Sequence, residues 1–191
     1  FNGNGYDDAW VAEAARRGLA NLRDTVDCMP AYIDKKNVEL FTKHAVLTET
    51  EMRARYEIHL ENYCKVSAIE ANTLLDMAQR SILPVAARYS GDLAKGMAHK
   101  QEAGLASTCR LEELIRRISG LSDQLLDVCQ ALSQALEKAP AADSGIEAAH
   151  YFRGEINTRV RQAGDLISQL ESLVDAKMWP YPTYADILFG V

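Results

Sequence analysis

Residues 107–137 read STCRLEELIRRISGLSDQLLDVCQALSQALE, and their spacing decides the fold. Leu111, Ile118, Leu125 and Leu132 recur every seven residues, and Leu114, Leu121, Val128 and Ala135 form the companion series. Two apolar positions per heptad draw a narrow seam along one face of an α-helix, the pattern by which one helix pairs with another. Glu112 with Arg116 and Glu113 with Arg117 place opposite charges one turn apart on the outer face. Gly120 interrupts the seam at a cost of about 1 kcal/mol relative to Ala.

Toward the C-terminus, a loop around Pro140 with Asp143 or Ser144 as cap leads into a second seam, predicted over about 144–177. Ile146, Arg153, Val160, Ile167 and Val174 alternate there with Ala149, Ile156, Ala163 and Leu170, apolar except for Arg153. Two consecutive seams predict an antiparallel hairpin. The tail runs Trp179-Pro180-Tyr181-Pro182-Thr183-Tyr184, then Ala185-Asp186-Ile187-Leu188-Phe189. Its prolines hold it extended. Burying each large side chain is worth about 1.5–3 kcal/mol, so the tail is expected to pack on its own bundle or on a neighbouring subunit.

Toward the N-terminus, Thr48-Glu49-Thr50-Glu51 is a capping box, in which Thr48 accepts from the Glu51 amide while the Glu51 carboxylate reaches back. A long helix from 49 then carries Met52, Tyr56, Leu60, Tyr63, Ile69, Leu74, Met77 and Ile82. Glu49 with Arg53, Glu51 with Arg55 and Glu61 with Lys65 pair on its surface. Pro84 predicts a kink rather than an end, with the helix reaching about 102. At 1.5 Å per residue such a helix would span roughly 80 Å, so the fold is expected to be elongated or the helix bent. Before it, Asp8 caps a helix over 8–17 that stops at Gly18, a second covers 20–28 and ends before Pro30, and Asp34 caps Lys35 to His44. No segment alternates in the manner of a strand. The expectation is all-α: an elongated antiparallel bundle of long helices, with a short-helix segment over 1–47, the bundle over 48–178, and an extended aromatic docking tail over 179–191.

The 191 residues suffice for a core without disulfides, and with 48% hydrophobic and 25% charged residues they are neither disordered nor of low complexity. A net charge of −6 repels phosphate backbones, and no apolar run reaches the ~18 residues of a membrane span, so neither nucleic acid nor membrane is an expected partner. Cys28, Cys64, Cys109 and Cys129 have no metal-ligand spacing and read as reduced structural thiols, which suits the cytoplasm. The first residue is Phe1, with no signal-like segment behind it, and reads as the interior of a longer protein. Phe1, Tyr6, Trp10, Trp179, Tyr181, Tyr184 and Phe189 crowd the two ends, while 90–150 holds no aromatic residue, so the ends look built to dock.

Glu147-Ala148-Ala149-His150 is an E-x-x-H of the kind a ferritin-like di-iron bundle supplies twice, but here it occurs once, and a solvated pair is the plainer reading. Asn2-Gly3-Asn4-Gly5 lacks the third glycine of a dinucleotide loop, since position 8 is Asp8, and reads as a turn before a helix. Tyr56, Tyr63, Tyr89 and Tyr151 read as core residues with a hydroxyl at the rim. No nucleophile, base and orienter stand at a readable spacing. The residues thus assign no catalytic, cofactor-binding or metal-binding position.

Several stretches nonetheless resemble the C-terminal region of type III glutamine synthetases. They are Phe1-Asn2-Gly3-Asn4-Gly5-Tyr6 with Trp10 and Glu13, Arg17-Gly18-Leu19 with Asn21-Leu22, Thr25-Val26-Asp27, Glu49 to Glu61, Ile82-Leu83-Pro84, and Trp179 to Phe189. Residues 90–140 carry no such signature. The resemblance implies a cytosolic parent enzyme that makes glutamine from glutamate, ammonia and ATP with magnesium or manganese, in stacked hexameric rings. It further implies that the ATP, metal and glutamate residues lie in a β-rich catalytic domain upstream of Phe1. The expected partners are then that domain and neighbouring subunits, and the chain alone is expected to be inactive. Two alternatives stand beside this: a free-standing helical scaffold that recruits a partner helix, and the di-metal bundle.

Overall fold

The computed structural model describes residues 3–105 and 109–190, with the side chains of Cys109, Tyr184 and Ala185 outside that description. Among the described residues every regular element is helical, as the periodicities predict. The chain divides into two compact units, Phe1–Tyr63 and Cys64–Val191.

In the first unit, Asn4 turns the chain by accepting from the Tyr6 amide at 3.0 Å, the turn expected there, although Phe1 and Asn2 lie outside the described residues. α1 spans Asp8–Arg16. Its cap is Asp7 rather than Asp8: the Asp7 carboxylate accepts from the Ala9 amide at 3.1 Å, leaving Asp8 as an acid in the first turn, where the helix dipole favours it. Gly18, at φ 73°, closes the helix as expected, with the Leu19 amide reaching back to the Ala14 carbonyl. α2 spans Thr25–Tyr32, with Pro30 inside it. This corrects the expected 20–28. The Asp24 side chain accepts from the Asp27 amide at 2.9 Å and sets the start several residues later than the apolar pattern suggests, and a single lost amide donor does not stop the helix at Pro30. α3, Lys35–Lys43, is capped by Asp34 as read, through a 3.1 Å bond from the Lys36 amide.

α4, Glu49–Met77, begins with the capping box: the Glu51 amide donates to Thr48 Oγ1 at 3.2 Å and the Thr48 amide to the Glu51 carboxylate at 2.8 Å. Glu49 and Arg53 pair at 2.7 Å. In the second unit the buried line of α4 passes through Cys64, Ser67 and Ala71 and on to Ala78, not through Ile69, which is 66% exposed. These positions keep the three-and-four spacing begun at Leu60, but with small side chains that a search for large apolar residues passes over. Ser67 is buried and takes a 3.3 Å bond from Asn157 Nδ2.

Near Pro84, where the sequence predicts a kink, the helix takes a π-helical turn over Ala78–Ile82, followed by α5, Leu83–Glu102, with Pro84 in its first turn. The Leu83 amide bonds back to the Ala78 carbonyl, five residues earlier. Widening the helix just before a proline relieves the clash its ring would make with the carbonyl four residues back. α6 spans Cys109–Glu137 and runs through Gly120 without a break; residues 107 and 108, where the heptad pattern places its start, lie outside the described residues. Glu112 pairs with Arg116 at 2.6 Å as predicted, whereas Glu113 pairs with Arg110 at 3.0 Å instead of Arg117.

The second seam is α7, Ile146–Tyr151, a π-helical turn over Phe152–Ile156, and α8, Asn157–Glu171. Neither Asp143 nor Ser144 caps it. Gly145 holds that place at φ 71°, a backbone conformation open to glycine. The seam also ends before 177. Asp175 nucleates a turn there, accepting from the Met178 and Trp179 amides on its carbonyl and from the Lys177 amide on its side chain, and this turn delivers Trp179 to the core.

α6 packs between α5 and α8. Ile118, Leu121, Leu125 and Cys129 meet Ala163, Leu170, Val174, the Ala78–Ala86 stretch and Trp179 in one core. Tyr151 Oη donates to the Ala135 carbonyl at 2.9 Å beside the connecting loop, so α6 and the second seam run antiparallel. The tail bends at Pro180 and Tyr181. From Tyr184 to Phe189 it is a short helix, α9, started by a second capping box between Thr183 and Asp186. That corrects the extended tail read from the prolines, whose influence stops at the Thr183 cap. Among the described residues no helix is long and apolar enough to cross a membrane.

Candidate functional site

A cleft of about 290 Å³ opens in the second unit where the tail crosses the helices. Leu74, Met77 and Ile82 form one wall, Gly164, Ile167, Ser168 and Glu171 of α8 another, and Trp179, Tyr181, Pro182 and Ile187 the tail side. Trp179 is nearly fully buried at 8% and belongs to the core as well as to the lining of the cleft. The walls are apolar, with Ser168, Glu171 and Tyr181 supplying the polar groups. That lining suits packing against an apolar side chain; it sets no nucleophile beside a base. Beyond the cleft, Ile187, Leu188 and Phe189 of α9 stand 68%, 72% and 79% exposed.

The residues singled out from the sequence are scattered. Glu147 and His150 are exposed, and His150 Nδ1 lies 3.2 Å from the Arg153 guanidinium. Among the described residues no three His, Cys, Asp or Glu side chains are gathered as a metal ion would require. Tyr56, Tyr63, Tyr89 and Tyr151 are all half-buried, the rim position read for them. Cys64 and Cys129 are buried free thiols, and burial raises their pKa, which keeps them protonated and unreactive. Cys28, half-buried, donates to the Leu22 carbonyl at 3.4 Å, and the Cys109 side chain lies outside the described residues.

Charge is organised at helix starts and ends. Hydrogen bonds from Thr48 hold the Glu51 carboxyl below its ordinary range, and those from Thr183 do the same for Asp186. Glu13 is lowered by Arg16 and Arg17, and the Arg17 guanidinium lies 5.8 Å from the centre of the Trp10 ring. All are structural devices on the surface. What the sequence reading missed is the apolar exposure of the first unit, where Val11, Leu19, Leu22, Leu40 and Val46 face solvent while Val26, Met52 and Leu60 are buried.

Comparison with known proteins fixes the lineage of these helices. The family model described as "Glutamine synthetase C-terminal domain" matches residues 1–101, more than half of the chain. The chain belongs to the glutamine synthetase C-terminal domain family. It is 35% identical over 194 residues to a glutamine synthetase of Butyrivibrio fibrisolvens, covering 100% of this chain and 27% of that protein. A glutamine synthetase of Bacteroides fragilis (strain YCH46) is 29% identical over 99% of the chain and 27% of its own length. The type-3 glutamine synthetase of Dictyostelium discoideum is 28% identical over 99% of the chain and 26% of its own length. The chain thus spans about a quarter of the length of the curated relatives it matches, and the resemblance to type III enzymes drawn from its motifs holds. The family match in this glutamine synthetase C-terminal domain runs from α1 into α5 and contains the motifs quoted between Phe1 and Pro84. α6 to α9 follow the matched residues and fall within the alignments to the relatives.

Proposed function

We propose that this chain is the non-catalytic helical region of a type III glutamine synthetase, a cytoplasmic enzyme joining ammonia to glutamate with hydrolysis of ATP, and that it supports packing of the catalytic domain and of neighbouring subunits. The observation that carries the reading is the family match over residues 1–101 in a chain one quarter as long as its relatives. The chemistry agrees with it. Ligation through an acyl phosphate needs divalent ions held by carboxylates and a clamp for triphosphate. Several of the described carboxylates are engaged in helix caps or in pairs three or four residues apart, such as Glu49 with Arg53 and Glu155 with Arg159, and among the described residues no three His, Cys, Asp or Glu side chains are gathered as a metal ion would require. On this reading ATP and magnesium or manganese are bound by the remainder of the parent enzyme.

Two measurements test this. The isolated chain, incubated with glutamate, ammonia, ATP and magnesium, is expected to form no glutamine, and glutamine formation would sink the proposal. Light scattering of the full-length enzyme with and without these residues is expected to show loss of the native oligomer on their removal. An unchanged oligomer would remove the assembly role and leave only support of the catalytic domain.

A further inference from the structure

The segment joining α1 to α2 is unlike the other connections. Residues 19–23, Leu19-Ala20-Asn21-Leu22-Arg23, adopt no regular structure, and Leu19, Ala20, Asn21 and Leu22 are exposed. Leu19 and Leu22 stand 52% and 45% in solvent. Among the described residues the amides of Ala20, Asn21, Leu22 and Arg23 donate no backbone hydrogen bond. A plain surface loop is polar and closes with turn residues. This one is an irregular strap with two exposed leucines and, among the described residues, four successive amides, those of 20–23, that donate to no backbone carbonyl; its ends are fixed by Gly18 closing α1 and Asp24 capping α2. Such a segment has the two properties of a bound peptide: backbone amides ready to pair with another chain and apolar side chains ready for pockets.

We infer that residues 19–23 are a docking strap, and that their occupant is the polypeptide preceding Phe1 in the full-length enzyme, on the same subunit. The inference rests on the proposed function, since that reading supplies the other three quarters of the protein. Proximity selects the partner. α1 begins at Asp8, so only seven residues, at most about 25 Å of extended chain, separate it from whatever precedes Phe1. A surface tethered this closely meets the strap at an effective concentration in the millimolar range, which outcompetes a separate subunit for a contact of this size. Val11 on α1 and Val46 after α3 are further exposed apolar side chains of the same unit.

The test uses full-length enzyme assembled from equal parts of light and heavy-isotope subunits, with a photo-crosslinking amino acid in place of Leu22. Irradiation is expected to join position 22 to peptides upstream of Phe1, with both halves of each crosslink carrying the same isotope label. Amide exchange of the unmodified enzyme is expected to be at least tenfold slower over 20–23 than for the same residues in an unstructured peptide. Mixed-label crosslinks would place the strap on a neighbouring subunit, and crosslinks to residues 64–191 would place it on its own C-terminal unit. Either overturns the inference, as does exchange at the free-peptide rate. A gene that encodes no domain upstream of Phe1 would instead overturn the functional reading, a result plainly distinct from these.

Discussion

At the scale of single residues, helix ends carry more of the specification than seams do. α1, α3 and α5 close in the same way, with one residue at positive φ and the next amide bonded five residues back: Gly18 with Leu19 to Ala14, Ala45 with Val46 to Phe41, Gly104 with Leu105 to Lys100. Of these three, Ala45, at φ 52°, does so with a β-carbon, in a region that costs an L-residue roughly 1–2 kcal/mol. Ala45→Gly removes that strain and gives part of it back as unfolded-state entropy, so a net stabilisation of about 0.5–1 kcal/mol is expected in urea denaturation. Gly104→Ala is its converse: a β-carbon there meets nothing within 4 Å, so its expected loss of about 1 kcal/mol is purely conformational. The capping box gives a pH signature. The Glu51 carboxyl is held below its ordinary value by the Thr48 bonds, so its contribution is fully present above about pH 4.3 and is lost as pH falls through the lower folded value. Thr48→Ala should lower the urea midpoint at pH 7, and the gap from the unmodified chain should narrow on acidification below about pH 4. The caps at Asp7 and Asp24 show the limit of reading such ends from sequence: Asp7 and Asp8 are equally good acceptors side by side, and only the turn at Asn4 selects the first.

At the scale of elements, the seams are legible because they are built from large residues. Ile118, Leu125 and Leu132 of α6 are fully buried, as their sevenfold recurrence predicts, and Ala149, Ile156, Ala163 and Leu170 are buried on the facing seam. Arg153 is the flaw in that seam, and it sits half-buried in the π-helical turn between the buried Phe152 and Ile156. Sequence periodicity assumes a constant turn, so neither π-helical turn can be read from it; Pro84 signals a disturbance but not its form. The Leu125 and Leu126 pair makes the energetic claim testable on adjacent residues of one helix. Leu125, fully buried, should cost about 2–5 kcal/mol when replaced by alanine, since the cavity adds to the lost transfer energy. Leu126, 50% exposed, should cost well under about 1 kcal/mol. Equal losses in chemical denaturation would mean that the register of α6 is wrong.

At the scale of the whole molecule, the two units differ in how much apolar surface they bury. In Cys64–Val191, α5, α6 and α8 share a continuous core that Trp179 closes; in Phe1–Tyr63, α1 and α3 contain no buried residue. Net stability is a small surplus of burial over conformational entropy, and opening free energies follow the local surplus. Amide exchange in the isolated chain is therefore expected to separate the units: α6 and α8 should exchange only through global opening, and α1 to α3 at least a hundredfold faster. Trp179 is the lever that distinguishes the two. Trp179→Ala should cost about 3–5 kcal/mol and accelerate exchange of α6 and α8 while leaving α1 to α3 as fast as before. Truncation after Thr183 removes side chains that are mostly in water and should change the exchange of α6 and α8 little. If instead the first unit slows to the rate of α6, its apolar side chains are covered within this chain, and the partner surface would have to be sought on α9 alone.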